Sequence, residues 1–315
     1  MSSPLRVLTW HVHGSYLNYL SSVPVTWVLP VRPDRAAGYG GRGATFSWPD
    51  NVHEIPADEV RDADLDVVLT QSRANWAVDR HKLLGPRVAR IPRVHLEHDP
   101  PAAWPNDALH PVQDPDALLV HVTHFNQLMW DSGSTPSTVV EHGVAVPDLP
   151  WTGELPRAVT VVNNLWSRGR RLGPDVFARV AAEVPVDLAG MNGGRHPHWL
   201  GDVRLAELHR RLPAYRVFVN PIRYTSLGLA VCEAMALGLP VVGLATTEMA
   251  TAVRNGVNGY VETDVERVVA HARRLVQDRD EAAALSAGAK QAAKERFGIE
   301  RFAAQWLDVL TAVVA

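Results

Sequence analysis

Residues 217–243 read VFVNPIRYTSLGLAVCEAMALGLPVVG, and this stretch limits the folds open to the chain more than any other. A run of strand formers ending at Asn220 gives way to a Ser-Leu-Gly turn and a segment of helix formers, then a Gly-Leu-Pro turn and a second strand-type run. Two buried strands joined through a helix make a right-handed parallel crossover. The same alternation predicts strands at 5–9, 25–29, 65–70, 93–97, 117–123 and 139–143, then at 159–162, 186–190, 216–220 and 241–244. Helices are expected from 16–20, through Gln127 and Met129, and at 174–184, 204–212, 264–277, 280–294 and 297–314. Sustained over 315 residues, this predicts an α/β protein of two Rossmann-like, doubly wound domains. The Pro-containing stretch 147–156 is the natural hinge, which sets domains at 1–150 and 151–315. Residues 30–53, rich in Gly, Pro and Arg, read as a long loop, and Asn255-Gly256 and Asn258-Gly259 as turns.

Composition excludes several function classes. Apolar content of 46% and charged content of 21% describe an ordinary soluble globular protein. Residues 1–150 carry 11 Arg and Lys against 17 Asp and Glu (net −6), and the remainder 20 against 17 (net +3). An acidic first half argues against nucleic acid and anionic lipid as partners, while the basic second half suits an anionic nucleotide. One cysteine, Cys232, rules out an intramolecular disulfide and fits a reducing cytoplasm. It lacks a local base and reads better as a buried apolar residue than as a nucleophile. The first residues lack the basic start and apolar core of a secretory signal. Residues 227–245 are nearly all apolar but hold Glu233, three glycines and Pro240, so they read as a buried helix–strand pair and not as a transmembrane span.

Chemistry concentrates in the opening stretch. A helix that begins at a glycine turn aims unpaired backbone N–H groups at whatever lies above it, which suits a phosphate. Glu233 falls about one and a half turns into that helix at ~3.6 residues per turn, placed to accept hydrogen bonds from a ribose diol. A structural salt-bridge partner is the other role open to it. Ser226, Leu227 and Gly228 offer backbone N–H groups to sugar hydroxyls or phosphate. Together these features describe a seat for a nucleotide-sugar.

The order of residues resembles the nucleotide-sugar site of retaining glycosyltransferases of the GT-B fold, family-4 type. In that family a Glu is followed, after a gap of seven residues, by a second Glu and Ala-Met-Ala-x-Gly-x-Pro-Val-Val. Residues 233–242, EAMALGLPVV, fit position by position, and the first Glu falls on Thr225. That Glu contacts the transferred sugar in relatives, so Thr225 takes its place beside the sugar. The resemblance covers most of 159–300. It sets Asn163-Asn164-Leu165-Trp166-Ser167-Arg168-Gly169-Arg170-Arg171 against the family's diphosphate-binding loop, with Arg168 and Arg171 as the cationic pair. A solvated basic turn is the alternative there. Asn192 and Gly193 match its second glycine turn, where base or phosphate contact is implied.

In the first half, His13-Gly14-Ser15 follows the first strand, where the family places a glycine loop by the donor phosphates, and Gly14 lets backbone approach closely. Tyr16 and Tyr19 can line an acceptor pocket or belong to the core. His11 and His13 share one face of extended chain, but a pair of histidines without a third ligand does not make a metal site. His98 resembles the family histidine that faces the sugar; its neutral imidazole would bond a sugar hydroxyl, and a surface-loop histidine is the alternative. Glu97 or Asp99 stands open as a base toward the acceptor.

The resemblance implies a metal-independent hexosyltransferase with no cofactor, moving a GlcNAc- or glucose-type sugar from a UDP-sugar with retention. It also implies a cleft between the domains, closure about the hinge, and a C-terminal helix that returns to the first, acceptor-binding domain. The acceptor is expected to be soluble, a secondary-metabolite scaffold or a glycan. Two other readings remain: a nucleotide-sugar epimerase or hydrolase, and, because of Thr225, a non-catalytic sugar-nucleotide binder. A dinucleotide dehydrogenase is excluded, since no G-x-G-x-x-G with its acidic partner opens either half.

Overall fold

The computed structural model of the chain describes residues 3–103 and 106–315. It divides into two units, Met1–Gly143 with Ile299–Ala315, and Val144–Gly298. The first unit holds strands β1 (Arg6–Thr9), β2 (Thr26–Val31), β3 (Val52–Pro56), β4 (Val67–Thr70), β5 (Arg93–Glu97), β6 (Ala117–His121) and β7 (Ser137–Val139). The second holds β8 (Leu155–Val161), β9 (Val186–Ala189), β10 (Trp199–Gly201), β11 (Tyr215–Asn220), β12 (Val241–Leu244) and β13 (Gly259–Glu262). The α-helices are α1 (Gly14–Leu20), α2 (Arg80–Leu84), α3 (His124–Met129), α4 (Pro174–Ala181), α5 (Leu205–Arg211), α6 (Leu229–Ala236), α7 (Met249–Ala252), α8 (Val265–Gln277), α9 (Arg279–Phe297) and α10 (Ile299–Ala312).

Both sheets are parallel throughout, in the orders β3-β2-β1-β4-β5-β6-β7 and β10-β9-β8-β11-β12-β13. Each sheet grows one way from its first strand and then reverses, so a switch point opens between β1 and β4 and another between β8 and β11. Ligands of doubly wound sheets bind outside the carboxyl ends of the strands at such points. Covered on both faces, β4, β9 and β12 are buried along their whole length. Val176, Phe177 and Val180 of α4 share one core with Val268, Val269, Ala272 and Leu275 of α8 and the strands between them. Asp264 and Asp278 begin α8 and α9 as caps, each accepting a backbone N–H of the first turn, from Glu266 and Glu281.

Three strands escape the sequence reading, β3, β10 and β13, and all three are edge strands. Edge strands expose much of their side-chain surface, so they do not read as apolar runs; β3 starts inside the stretch read as a loop, and its His53 and Glu54 face solvent. The short helices α2 and α7 were also unread.

The C-terminal helix belongs to the first unit. Phe302, Trp306 and Leu310, spaced by four, are fully buried along one stripe of α10. Trp306 Nε1 donates to the Tyr16 hydroxyl at 3.2 Å, and the Tyr16 and Phe302 rings meet edge-on at 5.7 Å. Gly143 is required here, because a Cβ would lie 2.2 Å from that of Phe302. Arg301 closes the contact by donating to the carbonyls of Glu141 and His142 at 3.0 and 2.6 Å.

The stretch 147–156 is packed onto the second unit: Lys290 donates to the Leu149 carbonyl at 2.9 Å, and Trp151 Nε1 to that of Tyr215 at 2.8 Å. The chain passes between units at Gly143–Val144 and Gly298–Ile299. The Val144 N–H to Phe297 carbonyl bond, 2.9 Å, sets those two points side by side.

Removing the Trp306 indole leaves a large cavity in a close-packed core. We expect Trp306→Ala to cost about 3–5 kcal/mol in urea unfolding; a loss below ~1 kcal/mol would show that α10 is not part of that core.

Candidate functional site

In the second unit the loops after β8, β9 and β11 are tied to one another. Asn164 and Asn192 both adopt left-handed backbone, φ 59° and 57°, a region that asparagine tolerates. Asn192 Nδ2 donates to Asn164 Oδ1 at 2.6 Å, and the Met191 N–H to Asn163 Oδ1 at 2.8 Å. The Arg171 carbonyl accepts the backbone N–H groups of Arg223 and Tyr224 at 2.9 and 3.3 Å, while its Nε donates to the Tyr224 carbonyl at 2.9 Å. Gly173 allows that approach: it has φ 70°, and a Cβ there would lie 1.9 Å from the Pro221 carbonyl oxygen.

Charge in these loops is partly spent. Asp175 takes Arg223 in a two-pronged pair at 2.5 and 2.8 Å and Arg170 at 3.0 Å. The Arg223 hydrogen bonds hold the Asp175 carboxyl down at about 2. Arg168 is exposed at the start of the short turn Gly169–Leu172. Thr225 is half-buried, Ser226 and Leu227 are buried, and Gly228 is the first residue outside α6. Gly228, at the N-cap position, makes no side-chain cap bond to α6, and among the described residues nothing lies within 4 Å of the place its Cβ would take. This helix start is open.

Glu233 is 3% exposed, and its Oε2 lies 3.5 Å from Nε2 of the buried His209. The two side chains thus face each other as the salt-bridge alternative requires, without a hydrogen bond at His209 Nε2 among the described residues. Gly193 has a packing reason of its own, since a Cβ would meet the Trp199 indole at 2.3 Å. Cys232 is fully buried.

In the first unit the switch point is governed by Gln71, one residue past β4 and buried. Its Nε2 donates to Thr9 Oγ1 at 3.0 Å and to the Trp10 carbonyl at 3.1 Å. A carbonyl only accepts, so the amide oxygen faces His98 Nε2 at 3.2 Å. His98 therefore carries its hydrogen on Nε2, and Nδ1 is left as an acceptor. Burial, with His13, His142 and His95 nearby, pushes its pKa well below the ordinary value and keeps the ring neutral. The His13 and Tyr16 rings lie 4.0 and 4.8 Å from it.

Gly14 opens α1, and Ser15 is half-buried behind it. The space beside Gly14 belongs to Phe46, which a Cβ would meet at 2.7 Å, so packing alone accounts for glycine there. Tyr16 and Tyr19 are core, and His11 parts from His13 to bond the Gly41 carbonyl at 2.6 Å. Glu97 uses both oxygens, accepting the Asp99 N–H at 2.9 Å and facing His110 at 3.1 Å.

His95, Glu97 and His110 offer donor atoms within 4.8 Å of one another. Their hydrogens do not suit a cation. His110 Nδ1 accepts the Val112 N–H at 3.1 Å, so the ring hydrogen sits on Nε2, pointing at Glu97. Below them, neither ring nitrogen of the fully buried His121 has a hydrogen-bond partner among the described residues.

The structure gathers Arg171, Thr225, Ser226, Leu227 and Gly228 around the carboxyl ends of β8 and β11, and Gln71 with His98 around those of β4 and β5. Sequence reasoning missed Gln71, Tyr224 and the Asp175–Arg223 pair. Gln71 was findable as the first polar residue after a strand that flanks the reversal.

With this geometry in view, comparisons with known proteins become informative. Residues 177–278 match the family of Glycosyl transferases group 1. D-inositol 3-phosphate glycosyltransferase of Nocardioides sp. is 36% identical over 138 residues, which is 43% of this chain and 30% of that protein. The chain therefore spans less than a third of that relative's length. Sucrose-phosphate synthase from Thermosynechococcus elongatus aligns with a TM-score of 0.71 at 14% identity, over 98% of this chain and 99% of that one. Anabaena HepE, solved with UDP and glucose, aligns with a TM-score of 0.68 at 13% identity, over 98% and 100%. The fold is that of these GT-B glycosyltransferases.

Burial drives the pKa of both His95 and His121 down to about 3, with neighbouring histidines adding to it. The unfolded state binds more protons wherever pH lies between that value and the ordinary 6.5. Stability is therefore complete above that upper limit and falls as pH drops. We expect each ring to remove about 2 kcal/mol by pH 5 relative to pH 7. Urea midpoints at the two pH values check this, and an unchanged pH slope in His121→Phe would contradict it.

Proposed function

We propose that the chain is a glycosyltransferase that moves a hexose from a UDP-sugar to a soluble small-molecule or glycan acceptor, with retention at the anomeric carbon and without a metal ion. The observation that carries this reading is the open, uncapped start of α6 at the β8/β11 switch point, beside Arg171 and inside the region matched to group 1 glycosyltransferases. Backbone N–H groups there, with the helix dipole, suit a diphosphate. HepE was solved with UDP, which supports the choice of donor.

In this reading Arg171 and Arg168 balance charge growing on the leaving diphosphate. The Arg171 Nε donates to the Tyr224 carbonyl, which holds the guanidinium at this loop. Asn192 and Gly193 line the base, and Glu233 holds the ribose from its seat beside His209. Ser226, Leu227 and Gly228 present their N–H groups to the sugar and phosphate, with Thr225 beside the transferred hexose. In the first unit Gly14 and Ser15 approach the donor, and the His98 Nδ1 lone pair accepts a substrate hydroxyl.

Gly228 has ordinary backbone angles, φ −67° and ψ 134°, and free space for a side chain. Gly228→Asp therefore supplies a good helix cap while setting a carboxylate where the diphosphate would lie. We expect thermal stability to be kept or slightly raised, and UDP affinity in calorimetry to drop tenfold or more, ~1.4 kcal/mol. Unchanged UDP affinity in a folded Gly228→Asp variant would overturn the reading.

A further inference from the structure

A second concave surface lies on the first unit, past the carboxyl ends of β2 and β3. It is a cavity of about 680 Å³ whose polar lining includes Arg32, Arg35, Lys82 and Asp58. Val31, Pro56 and Leu83 are among its apolar walls. Residues 1–150 hold 17 acidic side chains and only 11 basic ones, yet three of the basic ones line this cavity with one acidic residue, Asp58, while Glu54 pairs with Arg35.

The cations are held ready. The Arg32 guanidinium sits 3.6 Å over the Tyr39 ring. Arg35, whose backbone is left-handed at φ 48°, is held by the Gly40 carbonyl at 3.1 Å and by Glu54 at 3.3 Å. Lys82 is exposed and has no hydrogen bond or ion pair among the described residues.

This cavity is also wired to the switch point. Tyr39, under Arg32, donates to Asp79 at 2.8 Å, and Asp79 accepts from Asn75 at 3.0 Å. Asn75 Oδ1 takes the Gln71 N–H at 3.4 Å, and Gln71 holds His98. One chain of contacts thus fixes both Arg32 and His98. Three strand spacings separate β2 from β5, roughly 14 Å along the sheet edge.

We propose that this cavity seats an anionic group of the acceptor, a carboxylate or phosphate carried on an apolar body, while a hydroxyl of the same molecule reaches His98. Guanidinium forks match either anion, and the apolar walls take the body. The assignment rests on the glycosyltransferase reading for the word acceptor; the anion site itself stands on this unit alone.

Calorimetry on the full chain with phenyl phosphate, benzoate and the neutral benzyl alcohol tests it. We expect at least one anion to bind at millimolar concentration or below, and affinity to fall about tenfold in Arg35→Ala and in Lys82→Ala. Arg210→Ala, an exposed change in the other unit, should leave it unaltered. Both cavity positions are at the surface, so unfolding midpoints should not move. Binding of phenyl phosphate alone names phosphate as the group, and binding of benzoate alone names carboxylate. Benzyl alcohol binding as tightly as the anions, unchanged affinity in both variants, or no anion binding at all would overturn the proposal. UDP titrated into the same samples separates the two claims: loss of UDP binding with anion binding kept sinks the donor reading only.

Discussion

In a parallel sheet built from right-handed crossovers, strand order can reverse only by carrying the next helix to the opposite face. Where that happens, two neighbouring loops turn away from each other and leave the carboxyl ends of their strands uncovered. Each unit of this chain has one such reversal, β1 against β4 and β8 against β11. Gln71 and His98 lie beside the first reversal, and Arg171 and the start of α6 beside the second. Gln71 beside one reversal, and the carbonyl of Arg171 beside the other, hold the diverging loops in place.

Holding those loops has a chemical consequence. In the second unit Arg170 and Arg223 share Asp175, so one of the three arginines in residues 168–171 is paired with a carboxylate of the protein itself. Beside that pair lie Arg171, whose Nε is engaged by Tyr224, the exposed Arg168 and the start of α6. An array of that kind binds through aimed dipoles more than through net charge, and it favours a ligand that follows the loop's shape.

The sheets and the α6 motif were legible because buried parallel strands are continuous apolar runs and because glycine turns punctuate them. The strands of 93–97 and 241–244 were read to the residue. Edge strands such as β3 were not, since His53 and Glu54 in solvent break the pattern that marks a strand. The candidate site was legible as residue types and not as partnerships. Nothing in the one-dimensional pattern tells that Asp175 takes Arg223, or that His209, two elements away, comes to face Glu233. Glycines carry a second reason that the sequence hides: Gly14 and Gly193 read as ligand contacts, and the structure adds that Phe46 and Trp199 fill the space their missing side chains leave.

The two reversals share one topology but are furnished for different chemistry. At β8 and β11 the neighbouring groups are the N–H donors at the start of α6 and the Arg171 guanidinium, all of which only give hydrogen bonds. At β4 and β5 the open group is an imidazole held neutral, with its hydrogen committed to Gln71 and a lone pair to spare. A lone pair selects a hydroxyl. Burial disfavours the charged ring. Reversing the tautomer would turn the Gln71 amide and set its oxygen against the Trp10 carbonyl, so that carbonyl, one residue past β1, sets the hydrogen-bonding direction at His98.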